Sequence, residues 1–276
     1  MNFFEIPLAE WTNYFVDNWL IPVFGDFFDF LSQNISVVLE GFQTLLIGIP
    51  AEIMALLLVF LAWRTAGRGM ALFSAVGVIY LGSVDLWKEA MQTLSLVLVA
   101  TVFSIATGIP LGIWSAKSDV VERTIRPFLD FMQTLPSFVY LIPTILLFGI
   151  GGVPAVISTF VFATPPAVRL TNLGIRQVPY DVVEAAQAFG STPWQLLTKV
   201  ELPIALPTIL AGVNQTIMLA LSMAVIASMI GAPGLGTVVL SGISRVDVGM
   251  GLVGGLGIVV LAIILDRITE GLGNKA

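Results

Sequence analysis

Cysteine and histidine are both absent from the 276-residue sequence. Without cysteine the chain can form no disulfide, and it offers no thiolate to a metal or as a nucleophile. Without histidine it lacks the commonest general base, and its carboxylates are not clustered as an intramembrane enzyme would need. It also lacks a Walker A motif for ATP. We therefore predict that the chain is not an enzyme and holds no metal or cofactor itself.

Charge is scarce as well. Charged residues make up 11% of the sequence, whereas a soluble domain carries about 25%. Hydrophobic residues make up 57%, and the mean hydropathy is +0.97. This much apolar surface indicates contact with a lipid bilayer and with other buried helices. The net charge of −6 argues against a nucleic-acid partner.

The apolar runs predict an all-α membrane protein with about seven spans, each near the roughly 20 residues that a bilayer core requires. The predicted spans are 44–63, 69–84, 91–115, 128–149, 152–170, 205–230 and 250–266. Several contain proline, which is typical of a packed bundle with a path or gate, although simple kinking explains any single proline equally well.

The distribution of Lys and Arg orients these spans. No Lys or Arg precedes Arg64, whereas seven acidic residues do. With the N-terminus outside, ten Lys and Arg residues fall inside and only Lys88 and Arg245 fall outside. Because cytoplasmic loops are enriched in these residues, we predict a cell-membrane protein with an external N-terminus and a cytoplasmic C-terminus.

Residues 1–42 form a separate region before two N-terminal spans at 43–85. Apolar side chains recur at three- and four-residue steps, as in an amphipathic helix: Phe24, Phe27, Phe28, Leu31, Ile35, Val38, Leu39 and Phe42. We interpret the region as an external belt along the membrane surface. The alternative is a short cap packed on the bundle.

The longest polar stretch between spans, 171–204, is predicted to be cytoplasmic and to form two short helices. Pro179 suits the start of the first helix, and Gly190 suits its end, where a left-handed backbone is common. Ser191 or Thr192 can cap the second helix.

Pro203 is expected to end that second helix, where the chain re-enters the membrane. The first helix has an apolar face that something must cover, formed by Val182, Val183, Ala186 and Phe189. The bundle itself and a partner protein are equally good candidates for covering it.

The same stretch carries a spaced motif made of Glu184, Ala185, Ala186, Gly190, Val200, Leu202 and Pro203. It resembles the EAA loop of the permeases of binding-protein-dependent ABC importers. That pattern is E-A-A, three residues, G, nine residues, then I-x-L-P, and this chain departs from it only at Val200.

The resemblance covers about 86–270, the five-span core of a type I importer. It implies that the loop forms coupling helices seated on a separate cytoplasmic ATPase subunit, through which ATP acts. Ala185 and Ala186 would allow close approach, Gly190 would permit the turn, and Glu184 would hydrogen-bond at the joint. It further implies a separate substrate-binding protein and a second copy of the chain as partners.

Three further stretches, 132–138, 162–169 and 231–236, resemble permeases for glycine betaine and related quaternary amines, which implies uptake for osmoprotection. Because a quaternary ammonium favours aromatic faces, candidates for the translocation path are Phe131, Phe138, Tyr140 and Phe148. Packing is the commoner role for such residues. Alternative functions are an ABC permease for another small solute such as an amino acid, and a stand-alone channel or secondary transporter.

Overall fold

The computed structural model describes residues 7–273, and the regular structure in that range is helical throughout. The helices are, in chain order, α1 (Leu8–Phe15), α2 (Ile21–Gly48), α3 (Ala51–Ala66), α4 (Arg68–Ser83), α5 (Trp87–Lys117), α6 (Asp119–Thr134), α7 (Leu141–Phe148), α8 (Gly152–Arg176), α9 (Tyr180–Ala188), α10 (Pro193–Leu196), α11 (Leu202–Ala227), α12 (Leu235–Arg245) and α13 (Val248–Gly273). Wide π-helical turns at Val16–Leu20 and Leu197–Glu201 join α1 to α2 and α10 to α11.

The all-helical membrane fold is confirmed. Among residues 7–273, four helical stretches are long and apolar enough to cross a membrane, and there are up to six if each of two sharply bent helix pairs is one span. The four are α5, α8, the stretch from Pro193 to Ile230, and α13. The count of seven stays a prediction, because the seventh candidate, α4, has only 16 residues.

Helix α8 lies at the centre of the bundle, between α5 and α11. Small residues let the helices approach closely. A Cβ added at Gly112 of α5 would lie 2.5 Å from the Cβ of Thr171, and one added at Gly212 of α11 would lie 2.9 Å from the Cβ of Leu170. The backbones of α5 and α11 therefore approach α8 closely, one on each side.

The N-terminal helices α3 and α4 form a hairpin around Gly67, whose φ is +90°, and they pack on α13. A Cβ at Gly271 would lie 2.5 Å from the Thr65 carbonyl oxygen, and one at Gly77 would lie 2.5 Å from a methyl group of Val260. The α3–α4 turn and the last turn of α13 therefore lie at the same end of the bundle.

Two predicted spans are broken by proline. The span predicted at 44–63 is interrupted at Pro50, where the chain turns by 98°, and the one at 128–149 is interrupted at Pro136, with a bend of 108°. In each case the preceding residue, Ile49 or Leu135, is extended. The cause is steric, because the proline ring disfavours helical geometry in the residue before it.

The amphipathic pattern of the N-terminal region is confirmed as helix, but α2 continues to Gly48, beyond the expected boundary at 42. Ile35 and Leu39 are buried. The Phe28 ring lies against that of Phe148 at 5.6 Å. One face of α2 therefore packs on the bundle, while other apolar side chains, including Phe27, are exposed.

Candidate functional site

Residues 176–201, from the last residue of α8 to the end of the π-helical turn, are here called the elbow. They hold most of the predicted coupling motif. The first elbow helix, α9, follows Pro179 and ends before Gly190, whose φ is +81°. The Ser191 N–H donates to the Ala186 carbonyl at 3.1 Å, and the Gly190 N–H donates to the Gln187 carbonyl at 2.9 Å. This pair of bonds is a Schellman motif, which places a left-handed residue after the helix. The predicted turn at Gly190 is confirmed.

The second elbow helix, α10, is capped by Thr192 rather than Ser191. The Gln195 N–H donates to Thr192 Oγ1 at 3.3 Å, and the Thr192 N–H donates to Gln195 Oε1 at 3.0 Å. This reciprocal pair is a capping box. Pro193 takes the first helical position. The backbone N–H that proline lacks would have no partner within the helix at this position.

The prediction that Pro203 ends the second helix is wrong. The chain continues as one helical stretch from Pro193 to Ile230. The turn at Leu197–Glu201 widens to π geometry immediately before Leu202 and Pro203. A proline near the start of α11 is tolerated because it lacks only the N–H that would have donated to this distorted turn. Val200 and Leu202 are half-buried, while Pro203 is exposed.

The outer surface of the elbow is uncovered. No residue of α9 is buried, and Glu184 and Ala185 are exposed. Three aromatic side chains protrude around it, with exposed fractions of 75% for Tyr180, 92% for Phe189 and 71% for Trp194. The predicted apolar face of α9 is covered only in part within residues 7–273, because Val183 and Ala186 are half-buried.

Both ends of the elbow are tied to the corner where α5 meets α6. At the start, the Arg176 guanidinium donates to the Ser115 carbonyl at 3.0 Å and pairs with Asp119 at 2.7 Å and Glu122 at 2.9 Å. At the end, the Lys117 ammonium pairs with the Glu201 carboxylate. Sequence analysis missed the role of these ion pairs, because no local pattern links residues so far apart in the chain.

The four aromatic path candidates are placed in different surroundings. Phe131 and Phe138 are exposed, whereas Tyr140 is buried, donates to the Met132 carbonyl and packs against Phe162. Phe148 contacts α2.

An apolar groove of about 390 Å³ between α5, α6 and α8 is lined by other residues, among them Phe128 and Phe160. The structure therefore does not gather the four candidates into one site. Asp130, next to Phe131, pairs with Arg169 of α8 at 2.5 Å.

Comparison with known proteins gives consistent matches. The family model for the binding-protein-dependent transport system inner membrane component matches residues 108–275. The chain is 52% identical to the glycine betaine/proline betaine transport system permease protein ProW of Escherichia coli, over 98% of this chain and 76% of that one. It is 49% identical to the glycine betaine/carnitine transport permease protein GbuB of Listeria monocytogenes, over 98% of this chain and 97% of that one.

The fold also matches a solved structure. The MetNI methionine ABC transporter in an inward-facing conformation superposes with a TM-score of 0.63 at 21% identity, covering 68% of this chain and 94% of that chain. At this identity the match concerns the fold alone.

Proposed function

The chain belongs to the family of binding-protein-dependent transport system inner membrane components, and from that premise we propose that it forms the membrane path of an ATP-driven importer for glycine betaine or a related quaternary amine. ATP hydrolysis takes place in a separate ATPase subunit, and a separate binding protein delivers the substrate. The substrate class rests on the relatives, whose names all include glycine betaine.

The uncovered elbow carries the proposal that ATP drives transport. A secondary transporter or channel has no need of an exposed aromatic surface on a short two-helix projection. In the importer, α9 lies in a groove of the ATPase with Glu184, Ala185 and Ala186 at the contact. Gly190 sets the angle of the turn, and Val200, Leu202 and Pro203 connect the elbow to α11. Closure of the ATPase dimer moves the elbow and with it the spans.

The elbow end of the bundle is proposed to be cytoplasmic. Contacts place the α3–α4 turn beside the end of α13, and the Asn214 amide of α11 donates to Asp266 of α13 at 2.9 Å. These contacts support a single basic end that contains Arg64, Arg68, Arg176 and Arg267, as the excess of positive charge inside requires. The N-terminus is then outside.

Two copies of the chain are proposed per transporter. One chain offers one elbow, whereas an ATPase dimer presents two grooves, and symmetric homodimers are the commonest oligomers.

The test is transport by the reconstituted complex. The chain is purified with its co-expressed ATPase, placed in proteoliposomes, and supplied with binding protein and radiolabelled glycine betaine. Uptake that requires both hydrolysable ATP and the binding protein supports the proposal. Uptake without ATP would identify a channel or secondary transporter. ATP-driven uptake of an amino acid that glycine betaine does not compete with would change the substrate class.

A further inference from the structure

The α5–α6 corner is the one place in the described chain that contacts both ends of the elbow through charged groups. Helices α5 and α6 are separated only by Ser118, whose hydroxyl accepts from the Val121 N–H and caps α6. On one side of this residue Lys117 reaches Glu201, and on the other Asp119 reaches Arg176. The corner is therefore placed to sense a change in the spacing between the two ends of the elbow.

The two ion pairs differ in burial. Asp119 is exposed, so its pair with Arg176 is screened by water. Glu201 is only 5% exposed, and Lys117 is its only ion-pair partner among the described residues. A carboxylate buried in this way depends strongly on its partner, because an uncompensated buried charge is costly.

An apolar cluster joins the same elements beside the pair. Ile175 of α8 is buried against Ala205 and Ile209 of α11, and Ala116 of α5 and Leu202 of α11 pack on them. Ala116 precedes Lys117 in the chain, and Leu202 follows Glu201. The ion pair therefore lies at the edge of a packed contact between α5 and the π-helical turn. A π-helical turn inside a helix often marks a functional position.

We propose that Glu201 and Lys117 are positioning residues of the transport cycle, and that their ion pair carries the movement of the elbow to α5. When the ATPase shifts α9 and α10, the π-helical turn follows. The Lys117 side chain is partly exposed, but the Glu201 carboxylate is buried and needs its partner. The inner end of α5 therefore moves with the turn, rather than leaving α11 to move alone. This inference rests on the proposed ATP-driven importer and adds to it a specific link between elbow and bundle.

The test measures coupling in the reconstituted complex. Lys117→Met leaves a buried carboxylate without a partner, whereas Glu201→Gln leaves an amide that still accepts a hydrogen bond from Lys117. We expect maximal betaine uptake to fall by about tenfold in Lys117→Met, and by less in Glu201→Gln, while binding-protein-stimulated ATP hydrolysis falls less than uptake does. The binding-protein concentration that gives half-maximal stimulation should be unchanged, and the ATP consumed per betaine should rise.

The control is Glu270→Gln. It breaks an exposed ion pair with Arg267 near the end of α13, which lies at the same end of the bundle. It should leave uptake within about twofold of the unmodified complex, as exposed pairs contribute little. The exchanged double variant, Lys117→Glu with Glu201→Lys, should recover uptake relative to Lys117→Met if the pair itself transmits movement.

The outcomes separate the two proposals. If the unmodified complex shows no ATP-dependent uptake, the importer assignment fails. If it transports while Lys117→Met and Glu201→Gln keep the normal ratio of ATP to betaine, only the proposed link fails. Loss of the ATPase from the purified Lys117→Met complex, with no recovery in the double variant, would assign the pair to folding and overturn the proposal.

Discussion

Replacing Gly190 tests the elbow at its turn. Its φ of +81° lies in the left-handed region, where residues other than glycine are disfavoured by roughly 1–2 kcal/mol. A Cβ added there would meet no atom within 4 Å among the described residues. Within this chain the cost of Gly190→Ala is therefore one of backbone conformation alone. A change of about 1–2 kcal/mol reduces the ratio of the native turn to alternative conformations by about 5–30-fold.

Three variants separate backbone strain from contact with the ATPase. In Gly190→Val we expect binding-protein-stimulated ATPase activity and betaine uptake to fall steeply, by up to about 5–30-fold from the strained turn alone. Membrane insertion should be unchanged because the turn lies outside the spans. Gly190→Asn should stay close to normal, since asparagine tolerates the left-handed conformation. Glu184→Ala should give a milder loss than Gly190→Val, because it removes a side chain without distorting the turn. All are measured in proteoliposomes containing the full complex.

Normal transport by Gly190→Val would refute the reasoning, since the turn could then not be a coupling joint. If Gly190→Asn is as damaging as Gly190→Val, the backbone explanation fails and side-chain bulk against the ATPase becomes the cause.

Three other predictions concern topology, stability and assembly. Single cysteines at Asn18 and Ser244 should react with an impermeant thiol reagent added to intact cells, whereas one at the exposed Gln187 should not; labelling at 187 would invert the proposed orientation. Gly112→Ala should lower the melting temperature of the detergent-solubilised protein, because its Cβ would lie 2.5 Å from that of Thr171 and such overpacking typically costs about 1–3 kcal/mol. Gly255→Ala is the matched control with nothing within 4 Å, and equal melting of the two variants would contradict the packing argument. Native mass spectrometry of the complex should find two copies of this chain, and one copy would exclude the homodimer.

The elbow could be predicted because its signals are local. The start at Pro179, the glycine turn and the cap at residue 192 each depend on neighbours within a few positions, and the structure has all three. Capping chemistry acts over one turn of backbone and is therefore visible in the sequence. The apolar pattern of α2 was equally local.

The effect of individual prolines could not be predicted. Pro50 and Pro136 break helices, whereas Pro110 stays inside α5 and Pro165 inside α8. The residue type is the same, and the outcome depends on whether neighbouring elements hold the chain in helical geometry. Helix α12 was not among the predicted segments, because its 11 residues are too few to span a membrane.

Ion pairs across the bundle could not be predicted from the sequence, for a related reason. Glu201 and Lys117 are 84 residues apart, and Arg169 pairs with Asp130 across 39 residues. Only the folded arrangement brings these residues together.

The exposure of Tyr180, Phe189 and Trp194 on the elbow has a consequence for biosynthesis. A newly inserted copy without its ATPase presents three aromatic side chains to water on a short projection. Surface of this kind promotes association with other proteins. A cell that makes this subunit in excess of its ATPase therefore accumulates copies open to chaperones, proteases and aggregation. For the proposed importer, we therefore expect the two subunits to be made in matched amounts.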